Sequence, residues 1–204
     1  MVMRSVSLGC NLLIITGILL LQGTQLYAGE KDNAVKTMIV VANHGTPPAD
    51  FPPNERAEFS MLNARDQRGA LDAKAKKRLE ELSNKMRAWP RSEKNDPYLK
   101  STRELAAALK EKMGCAVLVG YNDFCDPSIA DVCNRAAEQG AKKVFVITPM
   151  MMGGGKHSEV DIPEQIRSAA QKHPDVQFVY VWPVPMQDIV DFFVGQIQKK
   201  QKSL

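Results

Sequence analysis

The sequence predicts an α/β protein: a three-layer α/β/α domain built on a four-stranded parallel sheet, with a helical insertion after the first strand. Three observations carry this. Four short runs rich in Val and Ile recur along the chain without the strict alternation of a half-exposed sheet, the pattern of strands covered on both faces. Longer amphipathic stretches separate them, and the resulting β-α-β-α-β-α-β-α order becomes a parallel sheet through right-handed crossovers. Glycine and proline signals punctuate the boundaries.

Residues 1–28 stand apart from this plan. "MVMR" carries a positive charge, "NLLIITGILLLQ" is apolar, and the chain turns polar after Ala28, which reads as a secretory signal ahead of a single domain over residues 29–204. The expected destination is the periplasm. An uncleaved N-terminal anchor is the alternative, although the run from Val6 to Leu21 is short and interrupted against the roughly 20 apolar residues a bilayer span requires. Cys10 precedes the main apolar run and is badly placed for lipidation.

The strands are expected at "TMIVVAN" (37–43), "CAVLVGY" (115–121), "KVFVITP" (143–149) and "VQFVYVWP" (176–183). Residues 47–97 form the insertion, which opens with the proline-rich loop "PPADFPPNE" and holds a long basic helix, Asp72–Ala88. Leu71, Ala75, Leu79, Leu82 and Met86 mark that helix's buried face at three- and four-residue steps. Further helices are predicted over Tyr98–Met113, Ser128–Gln139, Pro163–Lys172 and Met186–Lys199. Gly114 stops the second of the five, "DPS" starts the third, Gly140 follows it, and "DIP" starts the fourth.

Composition narrows the function. A chain of 204 residues, 44% hydrophobic and 25% charged, fits one domain with one core. A net charge of +4, with no run interleaving Lys/Arg and aromatics, argues against nucleic acid as a partner. Beyond residue 28 the cysteines are Cys115, Cys125 and Cys133, an odd number without CxxC spacing. That supports neither a zinc cluster nor a disulfide framework, and core packing is the expected role.

In an open parallel sheet, ligands bind beyond the carboxyl ends of the strands. Three polar loops leave those ends, "NHGTPPAD", "NDFCDPS" and "MMMGGGKHSEVD", and topology gathers His44, Asp123, Asp126, His157 and Glu159 at one rim. The remaining histidine, His173, follows a helix end and reads as structural. Two imidazoles near carboxylates make a site for borderline divalent metals such as Co, Ni, Fe or Zn, and equally a pair of proton acceptors near neutral pH. There is no G-x-S-x-G elbow for nucleophilic hydrolysis. Gly153, Gly154 and Gly155 allow two readings: an anion cradle, although "GGGKH" does not match a P-loop, or an open space against which a flat ligand can lie. Met150–Met152 either line that space or pack in the core.

The segments "VVANHGTPP", "GYNDFCDPSIADVCNRAAEQGAKKVFVITPMM" and "GGGKHSEVDIPEQIRSAAQKHPDVQFVYVWP" closely resemble the small class II tetrapyrrole chelatases, the sirohydrochlorin cobaltochelatase (CbiX-like) family. The resemblance covers about Met38–His44 and Leu105–Pro183. An "HG" after strand one, a "PSI" helix start and GG-x-H-x-x-x-DIP occur in the family's order. The resemblance implies a chelatase-like fold and a lyase that inserts a divalent metal, Co²⁺ foremost and Ni²⁺ or Fe²⁺ as alternatives, into sirohydrochlorin or a related tetrapyrrole. The metal is a substrate, and no organic cofactor is implied. His44 and His157 fall on the family's two active-site histidines as metal ligands and proton acceptors. Asp123 stands where a glutamate is common, Glu159 supports, and the shortest members suggest a homodimer.

Between Ala64 and Arg91 there are nine Lys/Arg against four Asp/Glu, a solvated helix face or a surface that steers a polyacidic ligand, with Lys76, Lys77 and Arg78 at its centre. The leader suggests a second reading, an exported noncatalytic protein that binds metal or haem-like tetrapyrroles on a chelatase scaffold. Its only membrane contact would be through the N-terminal segment.

Overall fold

The computed structural model describes residues 36–204; the leader and its expected cleavage lie outside them. Strand β1 (Thr37–Asn43) runs through the middle of the domain. It pairs in parallel with β2 (Ala116–Tyr121) on one side and β3 (Lys143–Ile147) on the other, and β4 (Gln177–Tyr180) pairs in parallel with β3. The order β2-β1-β3-β4 is a four-stranded parallel sheet, as the alternation of runs predicts. With neighbours on both sides, β1 is the most deeply buried strand: Met38, Ile39, Val40, Val41 and Ala42 are all 5% exposed or less.

The helices are α1 (Pro53–Asp66), α2 (Ala73–Arg87), α3 (Leu99–Met113), α4 (Ile129–Glu138), α5 (Ile162–Lys172) and α6 (Met186–Gln201). Met38, Val40 and Ala42 of β1 share a core with Ile129, Val132 and Cys133 of α4, and Ile162, Ile166 and Ala169 of α5. Ile39 and Val41 face the opposite layer, because successive residues of a strand alternate sides. Several ends follow the sequence signals. Ser128 and Asp131 close a capping box on α4, Asp72 caps α2 by accepting from Ala75 N, and α3 stops at Gly114 in a left-handed conformation.

Two boundaries differ from expectation. β3 ends at Ile147 and β4 at Tyr180, short of the prolines at 149 and 183, since proline has no N–H to give a ladder. The insertion holds two helices where the sequence suggested a loop and one helix. Pro53 occupies the first turn of α1, the one part of a helix where proline's missing N–H costs nothing. α1 and α2 pair through Glu58–Arg78 and Glu55–Lys85, each at 2.7 Å, while Leu62, Leu82 and Met86 are buried. Arg78 is therefore held by Glu58, and only Lys76 and Lys77 of the expected steering trio remain fully at the surface. Among the described residues no helix is long and apolar enough to cross a membrane. Cys115, Cys125 and Cys133 are free thiols, the last two buried, and burial pushes the Cys133 thiol up to about 12.

β2 and α4 approach closely at Gly120, where a Cβ would lie 2.6 Å from Val132 Cγ2 and 2.8 Å from Ile129 Cα. The Val132 methyl belongs to a side chain, but the Ile129 Cα and the Ser128 carbonyl oxygen at 3.0 Å are backbone and cannot rotate away. Gly120→Ala should therefore lower the unfolding free energy by about 2 kcal/mol through overpacking; a denaturant midpoint equal to that of the native chain would show that α4 gives way freely.

A candidate divalent-cation site at the rim of the sheet

The parallel pairing of β1 and β2 does not stop with the strands. Asn122 N donates to Asn43 O and Asp123 N to His44 O, both at 2.9 Å, so the loop after β2 lies directly along the loop after β1. Gly45 makes this possible: its φ is +88°, and a Cβ there would sit 1.9 Å from the Asp123 carbonyl oxygen. The glycine beside His44 is thus demanded by a neighbouring chain.

The third loop, after β3, carries Gly153, Gly154 and Gly155 and runs into a π turn, His157–Asp161, that continues as α5. Such wide turns recur at functional sites because they re-aim side chains. Here the turn sets Asp161 one turn beyond His157. Asp161 makes no side-chain cap at the start of α5; its Oδ2 lies 2.7 Å from His157 Nδ1 and its Oδ1 binds Lys156 Nζ. Burial works to raise the Asp161 carboxyl, but the hydrogen bonds from Lys156 and His157 outweigh it and hold its pKa below the ordinary value.

These contacts fix which ring nitrogens are free. His44 Nδ1 lies 2.7 Å from the Gly45 carbonyl, which can only accept, so that nitrogen carries the proton and Nε2 keeps its lone pair. For His157, Asn122 Nδ2 and Asp161 Oδ2 both lie 2.7 Å from Nδ1. The ionised carboxylate is the stronger partner for an N–H and sets the tautomer. Gln165 Nε2 donates to Asn122 Oδ1 at 2.9 Å and orients that amide, turning its Nδ2 toward the carboxylates of Asp123, 3.1 Å away, and Asp161.

The two imidazoles meet edge to face with centroids 4.5 Å apart, although 113 positions separate them in the chain (157 − 44). One ligand atom each from His44, Asp123 and His157 falls within 4.8 Å of the others, a spacing that can hold a metal ion. Asp123 Oδ2 is 3.5 Å from His157 Nε2. Two imidazole nitrogens and one carboxylate oxygen, all partly exposed, suit a borderline divalent cation with open positions for a second ligand.

The rim forecast from topology is therefore present for His44, Asp123 and His157. Glu159 is elsewhere: it is exposed, and its Oε1 accepts from Gly154 N within its own loop. That bond consumes one N–H of an anion cradle, one of the two readings of the glycine run, and of the three glycines only Gly154 has a positive φ. Asp126 turns to Arg87 at 2.9 Å. Of the two acids in "HSEVD", Asp161, four residues on in the π turn, reaches His157, whereas Glu159, expected from the sequence, does not. No signal in the sequence around Asn122 marks its amide as an orienting group.

Since a left-handed Cβ-bearing residue at position 45 cannot coexist with the Asp123 carbonyl, Gly45→Ala should destabilise the fold by about 3 kcal/mol or more and weaken Co²⁺ binding measured by titration calorimetry. Native stability together with native Co²⁺ affinity would mean that the two loops are not coupled here.

Residues 93–193 match the CbiX family model. Over 72 residues the chain is 33% identical to a sirohydrochlorin cobaltochelatase from Methanopyrus kandleri, a match covering 34% of this chain and 50% of that protein. Over 97 residues it is 29% identical to the chloroplastic sirohydrochlorin ferrochelatase of Arabidopsis thaliana, covering 47% of this chain and 43% of that one. The matches thus span half or less of the length of these relatives. A crystal structure of a cobalamin-biosynthesis CbiX protein from Marinobacter aquaeolei aligns at 16% identity with a TM-score of 0.47, over 82% of this chain and 98% of that one. Asn122, Asp123, His157 and Asp161 all lie inside the matched segment, and His44 is brought to them by the sheet. Over residues 93–193, the chain is similar to the CbiX family.

Proposed function

We propose that the chain is a tetrapyrrole chelatase, which exchanges the two pyrrole N–H protons of a macrocycle for one divalent cation. The observation that carries this reading is the meeting of His44 and His157 with Asp123 within ligand distance of one another. Relatives named for cobalt insertion and for iron insertion into sirohydrochlorin both match, which supports sirohydrochlorin or a close relative as the macrocycle. For the metal we propose Co²⁺, with Ni²⁺ and Fe²⁺ as the competing substrates, because imidazole and carboxylate donors discriminate weakly among the three.

The chemistry asks for three things from the chain. The cation must exchange water for fewer, weaker ligands, and two Nε2 lone pairs with one carboxylate hold it while leaving coordination positions for the pyrrole nitrogens. The macrocycle must give up two protons, and the same imidazoles, vacated as the metal moves into the ring, accept them. The His157–Asp161 bond stabilises the imidazolium that results, and Lys156 keeps Asp161 ionised for that role. Holding the cation on one face of the ring turns a three-body encounter into a local transfer.

Two further features belong to this proposal. Export is inferred from residues 1–28, whose charge and apolar run read as a secretory signal. Assembly as a homodimer is inferred from α6, which leaves Met186, Val190, Phe192, Phe193 and Ile197 between 44% and 60% exposed, an apolar face of the kind that marks association.

The test uses the purified full-length chain with sirohydrochlorin and Co²⁺, Ni²⁺ or Fe²⁺, following the macrocycle's absorption. His44→Ala and His157→Ala should each lower turnover by about a hundredfold or more. Stoichiometric binding of both ligands without turnover by the native chain would replace the enzyme with the noncatalytic carrier. Light scattering on the same preparation should return twice the chain mass, and a monomer at micromolar concentration would remove the dimer.

A further inference from the structure

Two cavities meet at one wall beside the paired imidazoles. The first, of about 530 Å³, lies against α3 and is lined by Thr102 and Leu105 of that helix, by Tyr98 just before it, and by Pro149 and Met150 after β3, with no Asp, Glu, Lys or Arg in its lining. The second, of about 690 Å³, lies against the insertion, where α1 contributes Phe59, Asn63 and Asp66, and its C-cap Gln67, opposite Asp123, His157 and Asp161. His44 and Phe124 line both.

Phe124 is the one non-glycine residue with positive φ among the described residues, at 60°. A bulky side chain holds that conformation only where its surroundings impose it. Arg91 supplies the constraint, donating to the carbonyls of Phe124 and Thr46 and so tying together the loops after β2 and β1. The Phe124 ring lies within 26° of parallel to the His44 imidazole at 6.3 Å and edge-on to Phe59 of α1 at 5.9 Å. The wall between the cavities is therefore a fixed aromatic pair.

Charge separates the two sides. The α1 cavity carries the carboxylates of Asp66, Asp123 and Asp161 against a single ammonium, Lys156, which is already bound to Asp161. Among the described residues the Asp66 carboxylate has no hydrogen-bond or ion-pair partner, and beyond the helix its backbone carbonyl accepts from Gly69 N. A cleft of one sign concentrates the opposite charge and repels its own. A divalent cation is drawn into this side. A macrocycle fringed with carboxylates is turned away from it and finds apolar lining on the other.

We propose that the His44–Phe124 wall sorts the two substrates, the cation reaching the imidazoles through the acid-lined cavity built by α1, with Asp66 as its capturing carboxylate, and the tetrapyrrole seating one edge in the apolar cavity against α3. This rests on the chelatase reading and adds to it a role for the insertion. The metal then reaches the face of the ring turned toward the imidazoles, and neither substrate blocks the other's approach.

The two affinities are measured separately on the full-length chain, without turnover: Co²⁺ by calorimetry in the absence of tetrapyrrole, and sirohydrochlorin by absorption in the absence of metal. Asp66→Asn should weaken Co²⁺ binding about fivefold and leave sirohydrochlorin binding unchanged, Asp66→Glu should restore the Co²⁺ affinity, and added salt should narrow the difference. Leu105→Glu should weaken sirohydrochlorin binding about tenfold and leave Co²⁺ binding unchanged. Native Co²⁺ affinity in Asp66→Asn, or equal losses of both ligands in either variant, overturns the sorting. Because both readouts are binding, a chain that shows this pattern but no turnover removes the chelatase and keeps the sorting, whereas normal turnover with an unaffected Asp66→Asn does the reverse.

Discussion

Everything at the rim depends on the continuation of parallel backbone pairing past the ends of β1 and β2. The carbonyls of Asn43 and His44 accept from Asn122 and Asp123, and this locks the direction in which His44 and Asp123 leave the sheet. A Cβ at position 45 would collide with that second loop, so the approach exists only with glycine there. The cost of the left-handed conformation is small for Gly45 and large for any replacement. Because β1 sits between β2 and β3, the same strand end that is pinned on one side faces the loop bearing His157 on the other.

A second set of interactions decides the chemistry of the rings once they are placed. Gly45 O and Asp161 each engage an Nδ1, which leaves the two Nε2 atoms as bases or ligands. Second partners of this kind set the tautomer and ring orientation of metal-binding histidines. Lys156 shares Asp161 with His157, so the acid stays ionised in a half-buried position where burial alone would favour its neutral form. Glu159, by contrast, spends its charge inside the glycine loop, bracing Gly154. The loop is thereby shaped by its own acid, and its glycines serve the turn.

The insertion is fastened to this centre by arginines. Arg87 reaches Asp126 and the Asn122 carbonyl, and Arg91 reaches Thr46, Met86 and Phe124 carbonyls. Hydrogen bonds from a guanidinium to several carbonyls fix geometry more firmly than exposed ion pairs such as Glu58–Arg78, which contribute little on their own. Burial of Leu62, Leu82 and Met86 joins the two insertion helices. α1 is thus a fixed wall of the cavity in front of His44 and His157, and its polar residues Asn63 and Asp66, with the C-cap Gln67, belong to the same surface as the ligands.

The sequence by itself determined the sheet: Val- and Ile-rich runs separated by capped amphipathic stretches have few other ways to bury their apolar faces, and the four strands lie where those runs are. It also determined the rim, because parallel strands send their carboxyl ends one way, and His44, Asp123 and His157 each follow such an end. It did not determine α1, whose prolines read as a loop until a partner helix was present to bury Leu62. Nor did it determine which acid serves His157, since Glu159 lies two residues on and Asp161 four, and only the π turn chooses between them. Phe124, Arg91 and Asn122 were likewise decided by the tertiary structure alone: their roles are contacts between loops from different strands, and no periodicity along one chain encodes a contact of that kind.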